Sequence, residues 1–386
     1  MADNTKQLYI DFDAYEQVKE PHKREKASAW RAAIGLQQVD GLKVSDYLKE
    51  TAVRHIEGEI TIDEVREQLR TYYDTKVAHD SDDALTEEAD RVAANITKLL
   101  SERSFSLTAL EVLHTHKHVF EGVFKHAGEV RPMDVTKKEW VLRGESVTYG
   151  RAEDILQALK YDIEQERDFN YAGLSTDEII SHIADFTCML WQNHPFREGN
   201  TRTTAVFLIK YLRSCGFTVC NDTFAGNSWY FRNALVRANY SNPMRGVQKD
   251  KSFLVKFFRN LLLGEENELK NRYMLVGWQD EDTHTSTHTS SDENTHTSTH
   301  TSNEKLMPKS ENVRKLVLAI GRGELNVKEM MECVGLKNRP NFMEYSLVPA
   351  IEGGYVRLKF PESPRHPRQK YLLTLKGLLA LDGLSR

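Results

Sequence analysis

At 386 residues the chain is long enough for two or three domains with buried cores. Its 40% hydrophobic and 28% charged residues are those of a globular protein. No apolar run is long enough to span a bilayer and no basic-then-apolar leader is present, which predicts a cytoplasmic protein rather than a membrane-embedded or exported one. The net charge of −5 is unevenly spread: from residue 303 to 386, 15 Lys/Arg face 9 Asp/Glu, so a basic C-terminal unit follows an acidic remainder. The cysteines (Cys188, Cys215, Cys220, Cys333) form no Cys-x-x-Cys pair and three lie in apolar segments, which predicts buried, reduced thiols.

Residues 1–25 are polar apart from Leu8-Tyr9-Ile10, a candidate docking segment. The spacing of Trp30, Ala33 and Ile34 predicts a helix over 26–38 that Gly41 breaks. Further helices are predicted from Ser45 through His55 and, capped near Thr61, over 63–73. Helical periodicity resumes over 81–100 and 106–127 and stops at Gly128-Glu129-Val130-Arg131. Residues 139–149 alternate apolar and polar around Gly144, the pattern of a β-hairpin. Two amphipathic helices, 177–191 and 203–213, then bracket the stretch His194-Pro195-Phe196-Arg197-Glu198-Gly199-Asn200-Thr201-Arg202. Helices over 229–240 and 252–264 follow. Residues 280–304 repeat Thr-His-Thr-Ser-Thr-His-Thr-Ser with no apolar side chain to fold around, which predicts a linker. Its four histidines (His284, His288, His296, His300) lack a Cys framework for a metal site. The last unit reads as helices over 327–334 and 341–351, then strands over 355–360 and 370–375, with Arg365, His366 and Arg368 at the hairpin tip.

The 194–202 stretch carries the chemistry. A His, an acid and a Gly-Asn pair sit in a tight turn that ends at a helix N-terminus, where unpaired N–H groups and the helix dipole attract an anion. Gly199 allows close backbone approach and Arg202 adds a cation with bidentate reach. Phosphate beside a base is the reading. The spacing resembles the signature of the Fic (filamentation induced by cAMP) family, His-Pro-Phe-x-(Asp/Glu)-Gly-Asn-Gly-Arg-x-x-Arg, with Thr201 in place of the second Gly and Ala205 in place of the last Arg. The resemblance spans roughly residues 100–265.

That resemblance implies a mainly α protein: a Fic helical core with a β-hairpin flap, plus a small C-terminal winged helix. It divides the chain into an N-terminal antitoxin-like helical unit (1–80), a catalytic core (81–270), the linker (280–304) and a winged-helix domain (305–386). It implies protein adenylyl transfer, in which AMP passes from ATP to a Ser, Thr or Tyr hydroxyl with release of pyrophosphate. His194 is then the general base, and Glu198 holds Mg²⁺. Gly199, Asn200, Thr201 and Arg202 line the phosphates, with Asn200 orienting the α-phosphate. Arg143, Gly144, Glu145 and Ser146 line the nucleotide side of the flap, and Phe231 and Asn239 hold the adenosine. An aromatic at helical spacing is more often core than a purine shelf.

The resemblance also places a target protein on the flap by strand addition, at residues 139–149. Self-modification and a homodimer stay open as further partners. For the winged helix, protein contact is placed ahead of DNA. In the family, a Glu of the antitoxin-like unit pairs with the last motif Arg and spoils the ATP pose. Glu57, in Val53–Gly58, is the favoured remnant of that acid, and Asp40, in Leu36–Gly41, is the weaker one. Because Ala205 removes the usual partner, strong inhibition is not expected. The departures at 201 and 205 leave room for UMP or phosphocholine transfer, or for removal of AMP. A reading of another class is a DNA-binding regulator with a weak Fic core.

Overall fold

Apolar residues recurring every three or four positions, with capping side chains at the starts, make most of this chain helical. The computed structural model describes residues 10–75, 81–217, 222–277 and 306–385; the 280–304 linker, Leu8, Tyr9 and Cys220 lie outside them. The N-terminal unit comprises α1 (Phe12–Glu16), α2 (Pro21–Gly35), a 3₁₀ turn (Leu36–Asp40), α3 (Asp46–Glu57) and α4 (Ile62–Thr75). Ser45 caps α3 through the Leu48 N–H, and Thr61 with Glu64 forms a reciprocal cap on α4, as the sequence predicts.

The core follows as α5 (Ser81–Ser101), α6 (Ala109–Val119), α7 (Ile155–Asp168), α8 (Thr176–Asn193), α9 (Asn200–Ser214), α10 (Asp222–Asn239) and α11 (Ser252–Phe258). A full capping box at Ser175 and Glu178 starts α8. Helices α8 and α9 are the centre of the packing. Every residue of α9 from Asn200 to Leu212 is buried, as are Ile179, Ile180, Ile183, Phe186, Leu190 and Trp191 of α8. Helix α2 packs on α5 and α10, and the 3₁₀ turn packs on α9 and α10, so the N-terminal unit lies directly over the start of α9.

The flap region turns back on itself where expected, but without strands. The Glu139 N–H donates to the Glu145 carbonyl at 2.9 Å and the Gly144 N–H to the Glu139 carbonyl at 3.0 Å. The bend between them is a 3₁₀ turn, Trp140–Leu142, and no strand is assigned among the described flap residues. Arg143 and Gly144, both with positive φ (55° and 90°), make the tight turn, but residues 140–142 before it are coiled as 3₁₀ rather than extended, so no ladder runs along that arm. The predicted helix over 106–127 also stops early, at Val119, and continues as turns.

The C-terminal unit runs α12 (Glu311–Ile320), β1 (Glu324–Leu325), α13 (Val327–Cys333), α14 (Arg339–Phe342), α15 (Val348–Glu352), β2 (Val356–Leu358), β3 (Tyr371–Leu373) and α16 (Leu375–Leu384). Its antiparallel sheet has the order β1-β3-β2, with Leu325 opposite Tyr371 and Val356 opposite Leu373. Helices followed by a two-stranded hairpin match the order read from the sequence, and β1 is too short to be legible there. A second apolar cluster, including Leu316, Val317, Met330, Phe342, Leu347 and Ala350, is its own core. Leu375 and Leu379 of α16 belong instead to the main core. The Thr176 hydroxyl donates to Asp382 at 2.6 Å. Gly216, just past α9, and Gly354 lie so close that a Cβ on either would collide with the other's carbonyl.

This docking has a testable result. When a protease site engineered at residues 290–291 is cut, the two pieces are expected to co-elute in size-exclusion chromatography at micromolar concentration. Separate elution of the C-terminal piece would show that the apolar seam is too weak to hold it.

Candidate active site

The motif turn is built around three buried anchors. His194 closes α8 in the left-handed conformation (φ 46°, ψ 57°), an unusual setting for a non-glycine residue. Arg131 holds it there: its Nε donates to the His194 carbonyl at 2.8 Å, Nη1 to Met133 O at 2.7 Å, and Nη2 to the Gly150 carbonyl. The Arg131 N–H adds a bond to Pro195 O at 2.9 Å. Phe196 is buried and stacks on His116 at 3.7 Å between ring centroids.

His116 was hidden in the sequence among its neighbours His114 and His118. Its Nδ1 accepts from the Gly128 N–H at 2.8 Å, so Nε2 carries the proton and donates to the Glu198 carbonyl at 3.2 Å. Burial pushes its pKa down to about 3, so the ring is neutral and its tautomer fixed. Gly199 then starts α9 at φ 71°, with the Phe120 ring where a Cβ would be; no other residue fits.

His194 itself is 2% exposed, and neither ring nitrogen has a hydrogen-bond partner. The Tyr149 ring lies 4.0 Å away, and the Trp191 ring meets it edge-on at 5.5 Å. Burial, then the charges of Lys137, Arg131 and Arg232, hold its pKa well below the usual value. The imidazole is therefore neutral, so one ring nitrogen keeps a lone pair. Glu198 is exposed and makes no ion pair with a described residue. Asn200 differs from expectation: its amide donates to Phe196 O (2.7 Å) and its carbonyl accepts from Phe196 N (2.9 Å), so it braces the loop and is not free for a phosphate. The Thr201 oxygen accepts from Trp191 Nε1 at 3.0 Å. Ala205 is fully buried.

Arg202, 2% exposed, is held by two groups of the N-terminal unit and one of α5. Its Nε lies 2.8 Å from Asp40 Oδ2, off the N–H axis, so that contact is one of charge rather than an aligned hydrogen bond. Its Nη2 donates to Glu88 at 2.7 Å and its Nη1 to Gln37 at 3.2 Å. The guanidinium carbon lies 4.8 Å from the Phe120 ring centre. Of the two acids considered from sequence, the weaker one, Asp40, reaches the motif. Glu57 instead accepts from Tyr15 (2.8 Å) and Lys23 (2.8 Å) on the outer surface.

The structure corrects the remaining assignments. Phe231 is fully buried among Phe224 and Phe257, 5.1 and 4.9 Å away, so it is core and not a purine shelf. Asn239 is buried, donating to Leu235 O (3.0 Å) and Cys188 O (3.4 Å). One step along α10, Arg232 faces the flap instead and pairs with buried Glu139 at 2.8 Å. In the flap, Arg143 Nε donates to Val276 O at 2.9 Å, and Gly144 is spent on the turn itself. Glu145 faces Tyr240, Asn242 and Arg245. Ser146 accepts from Lys137 N at 3.2 Å and donates to Val147 O at 3.0 Å. None of these four contacts the motif turn in this conformation.

Three family models match the chain. The Fic/DOC family matches residues 106–212, which contain the whole motif turn with His116, Arg131, His194 and Arg202. The chain carries a Fic domain. The C-terminal domain of the Fic-like "filamentation induced by cAMP" proteins matches 311–374, and the antitoxin VbhA family matches 27–71, the segment containing Asp40 and Glu57. A protein adenylyltransferase of Bartonella henselae is 24% identical over 190 residues, covering 45% of this chain and 35% of that protein. The chain thus spans about a third of the length of that relative. A crystal structure of a Fic family protein from Desulfovibrio desulfuricans G20 aligns over 94% of this chain and 93% of that one, with 16% identity and a TM-score of 0.38. Among the described residues no helix is long and apolar enough to cross a membrane.

Proposed function

We propose that this Fic domain transfers an adenylyl group from ATP to a hydroxyl side chain of a protein. The observation that carries the reading is a neutral, unpartnered His194 one turn before a helix N-terminus that bears Arg202. The name of the Bartonella relative agrees with it. The phosphates lie over the first turn of α9, against its free N–H groups and Arg202. A ring nitrogen of His194 takes the hydroxyl proton as the oxygen bonds to the α-phosphorus and the bond to pyrophosphate breaks. Arg202 and the α9 N-terminus offset the charge of the departing pyrophosphate. Mg²⁺ fits the exposed, unpaired Glu198 carboxylate; bound with ATP, it would neutralise phosphate charge. The Fic flap and Asp40 must both shift, because His194 is covered and Arg202 is occupied.

Incubation with α-³²P-ATP is expected to label the protein itself or a partner, whereas γ-³²P-ATP is not. Label from the γ-position would mean phosphoryl transfer. Stronger labelling from α-³²P-UTP than from α-³²P-ATP would move the assignment to uridylyl transfer, for which the Thr201 and Ala205 departures leave room.

A further inference from the structure

Arg131 fixes the backbone of His194 through its carbonyl, but the imidazole ring is a separate matter. Neither ring nitrogen has a hydrogen-bond partner, so nothing polar sets the ring plane. Two aromatic rings lie against it instead: Tyr149 at 4.0 Å, tilted by 32°, and Trp191 at 5.5 Å, edge-on at 86°. The two are held differently. Tyr149 ends the flap stretch, and its hydroxyl donates to Glu139 at 3.3 Å, so it moves with the flap when His194 is uncovered. Trp191 belongs to the buried face of α8, and its carbonyl accepts from the His194 N–H at 3.1 Å.

The Trp191 indole has one polar atom, and Thr201 engages it. Nε1 donates to the Thr201 hydroxyl oxygen at 3.0 Å. Both side chains are buried, Trp191 at 1% and Thr201 at 7% exposure. Thr201 lies in the first turn of α9 and Trp191 in the last turn of α8, so the bond spans the motif loop from helix to helix. No atom of it belongs to the flap. The hydroxyl is the part that matters, because a side chain of the same shape without it would strand a buried indole N–H.

We propose that Thr201 is a positioning residue for the proton acceptor: through Trp191 it sets the ring plane of His194 and keeps it set when Tyr149 moves off with the flap. This assignment rests on the adenylyl-transfer reading, in which His194 takes the hydroxyl proton. A base that is turned away slows transfer without loosening the nucleotide, since the phosphates rest on the α9 N–H groups and Arg202.

The test is a double-mutant cycle on the full-length protein, reading the maximal rate of labelling from α-³²P-ATP and the ATP concentration that half-saturates it. Thr201→Val keeps the shape and removes the acceptor, and Trp191→Phe keeps a ring and removes the donor. Each is expected to lower the maximal rate about tenfold and to leave half-saturation within about twofold. The double variant should fall little below the slower single one, because both changes remove the same bond. Thr201→Ser should recover most of the rate. Effects that multiply in the double variant overturn the role, and so does a weakened half-saturation at an unchanged maximal rate, which would place the Thr201 side chain on the phosphates. A second readout needs no turnover: the histidine ring Cε1–H signals in NMR spectra, with that of His194 identified by its loss in His194→Asn. Thr201→Val should shift this signal and Thr201→Ser return it; an unmoved signal in Thr201→Val overturns the proposal. Thermal melting checks each variant, and Thr201→Ala serves if Thr201→Val fails to fold. If the wild type transfers no label while the His194 signal responds as expected, the adenylyl-transfer reading fails and the link from Thr201 to His194 stands.

Discussion

Replacing His194 with Asn is expected to lower adenylyl transfer by about a thousandfold, within the usual range for loss of a general base. Asn is preferred to Ala because position 194 is left-handed (φ 46°), a region that Asn tolerates better than other small residues. The buried ring makes no hydrogen bond, so no polar partner is stranded by its removal. The cost in stability is that of a smaller side chain in a packed site, about 1–2 kcal/mol. ATP binding should persist, because the phosphates are held by the α9 N-terminus and Arg202 rather than by the imidazole. The measurement is a time course with α-³²P-ATP, beside calorimetry and thermal melting. Wild-type rates in a folded His194→Asn protein would remove His194 from the mechanism.

The Asp40→Asn variant is expected to transfer AMP about tenfold faster than the wild type, and Asp40→Asn with Glu88→Gln roughly a hundredfold faster, at 1.4 kcal/mol of barrier per tenfold. The sequence suggests weak inhibition because the usual partner of the antitoxin-like acid is Ala205. The structure moves the contact back along α9 to Arg202, which is buried and paired with two carboxylates. Their attraction is partly offset by desolvation, and Asp40 is half exposed, so each acid is worth only a kcal/mol or two. Removing one leaves Arg202 still held by Gln37 and Glu88, which is why the double variant should exceed the single one. Glu57→Gln should change the rate less than about twofold, because its partners are Tyr15 and Lys23 on the surface. The check is labelling of all four proteins at equal concentration. A jump in Glu57→Gln with none in Asp40→Asn would reverse the assignment. A melting control is needed for the double variant, since it leaves a buried guanidinium without acid partners.

Much of this fold was legible because helices announce themselves through periodicity and caps: Ser45 and Thr61 were readable, and the helices begin there. The motif turn was legible because glycine and a helix start are local facts. What failed depended on tertiary phase. Phe231 and Arg232 are adjacent, and only the packing of α10 decides which faces the flap. Glu57 outranked Asp40 on residue type and on the capped helix that follows it, yet the end of α3 points outward while the 3₁₀ turn lies on α9. His116 acts through backbone groups that leave no pattern in the sequence, and Arg131, legible only as the end of the Gly128–Arg131 break, takes its role from carbonyls that the fold brings to it.

The contact between Gly216 and Gly354 gives the seam of the C-terminal unit the character of a keyed joint. Both glycines have positive φ (92° and 73°), so neither position accepts a side chain easily even without its neighbour, and with it there is no space. Gly216 follows the end of α9, the helix whose other end forms the anion cradle, so the joint and the chemistry share one rigid element. A methyl group at either glycine is therefore a wedge. It would pry the joint open without touching a catalytic side chain, separating what the C-terminal unit does by being docked from what it does by being present.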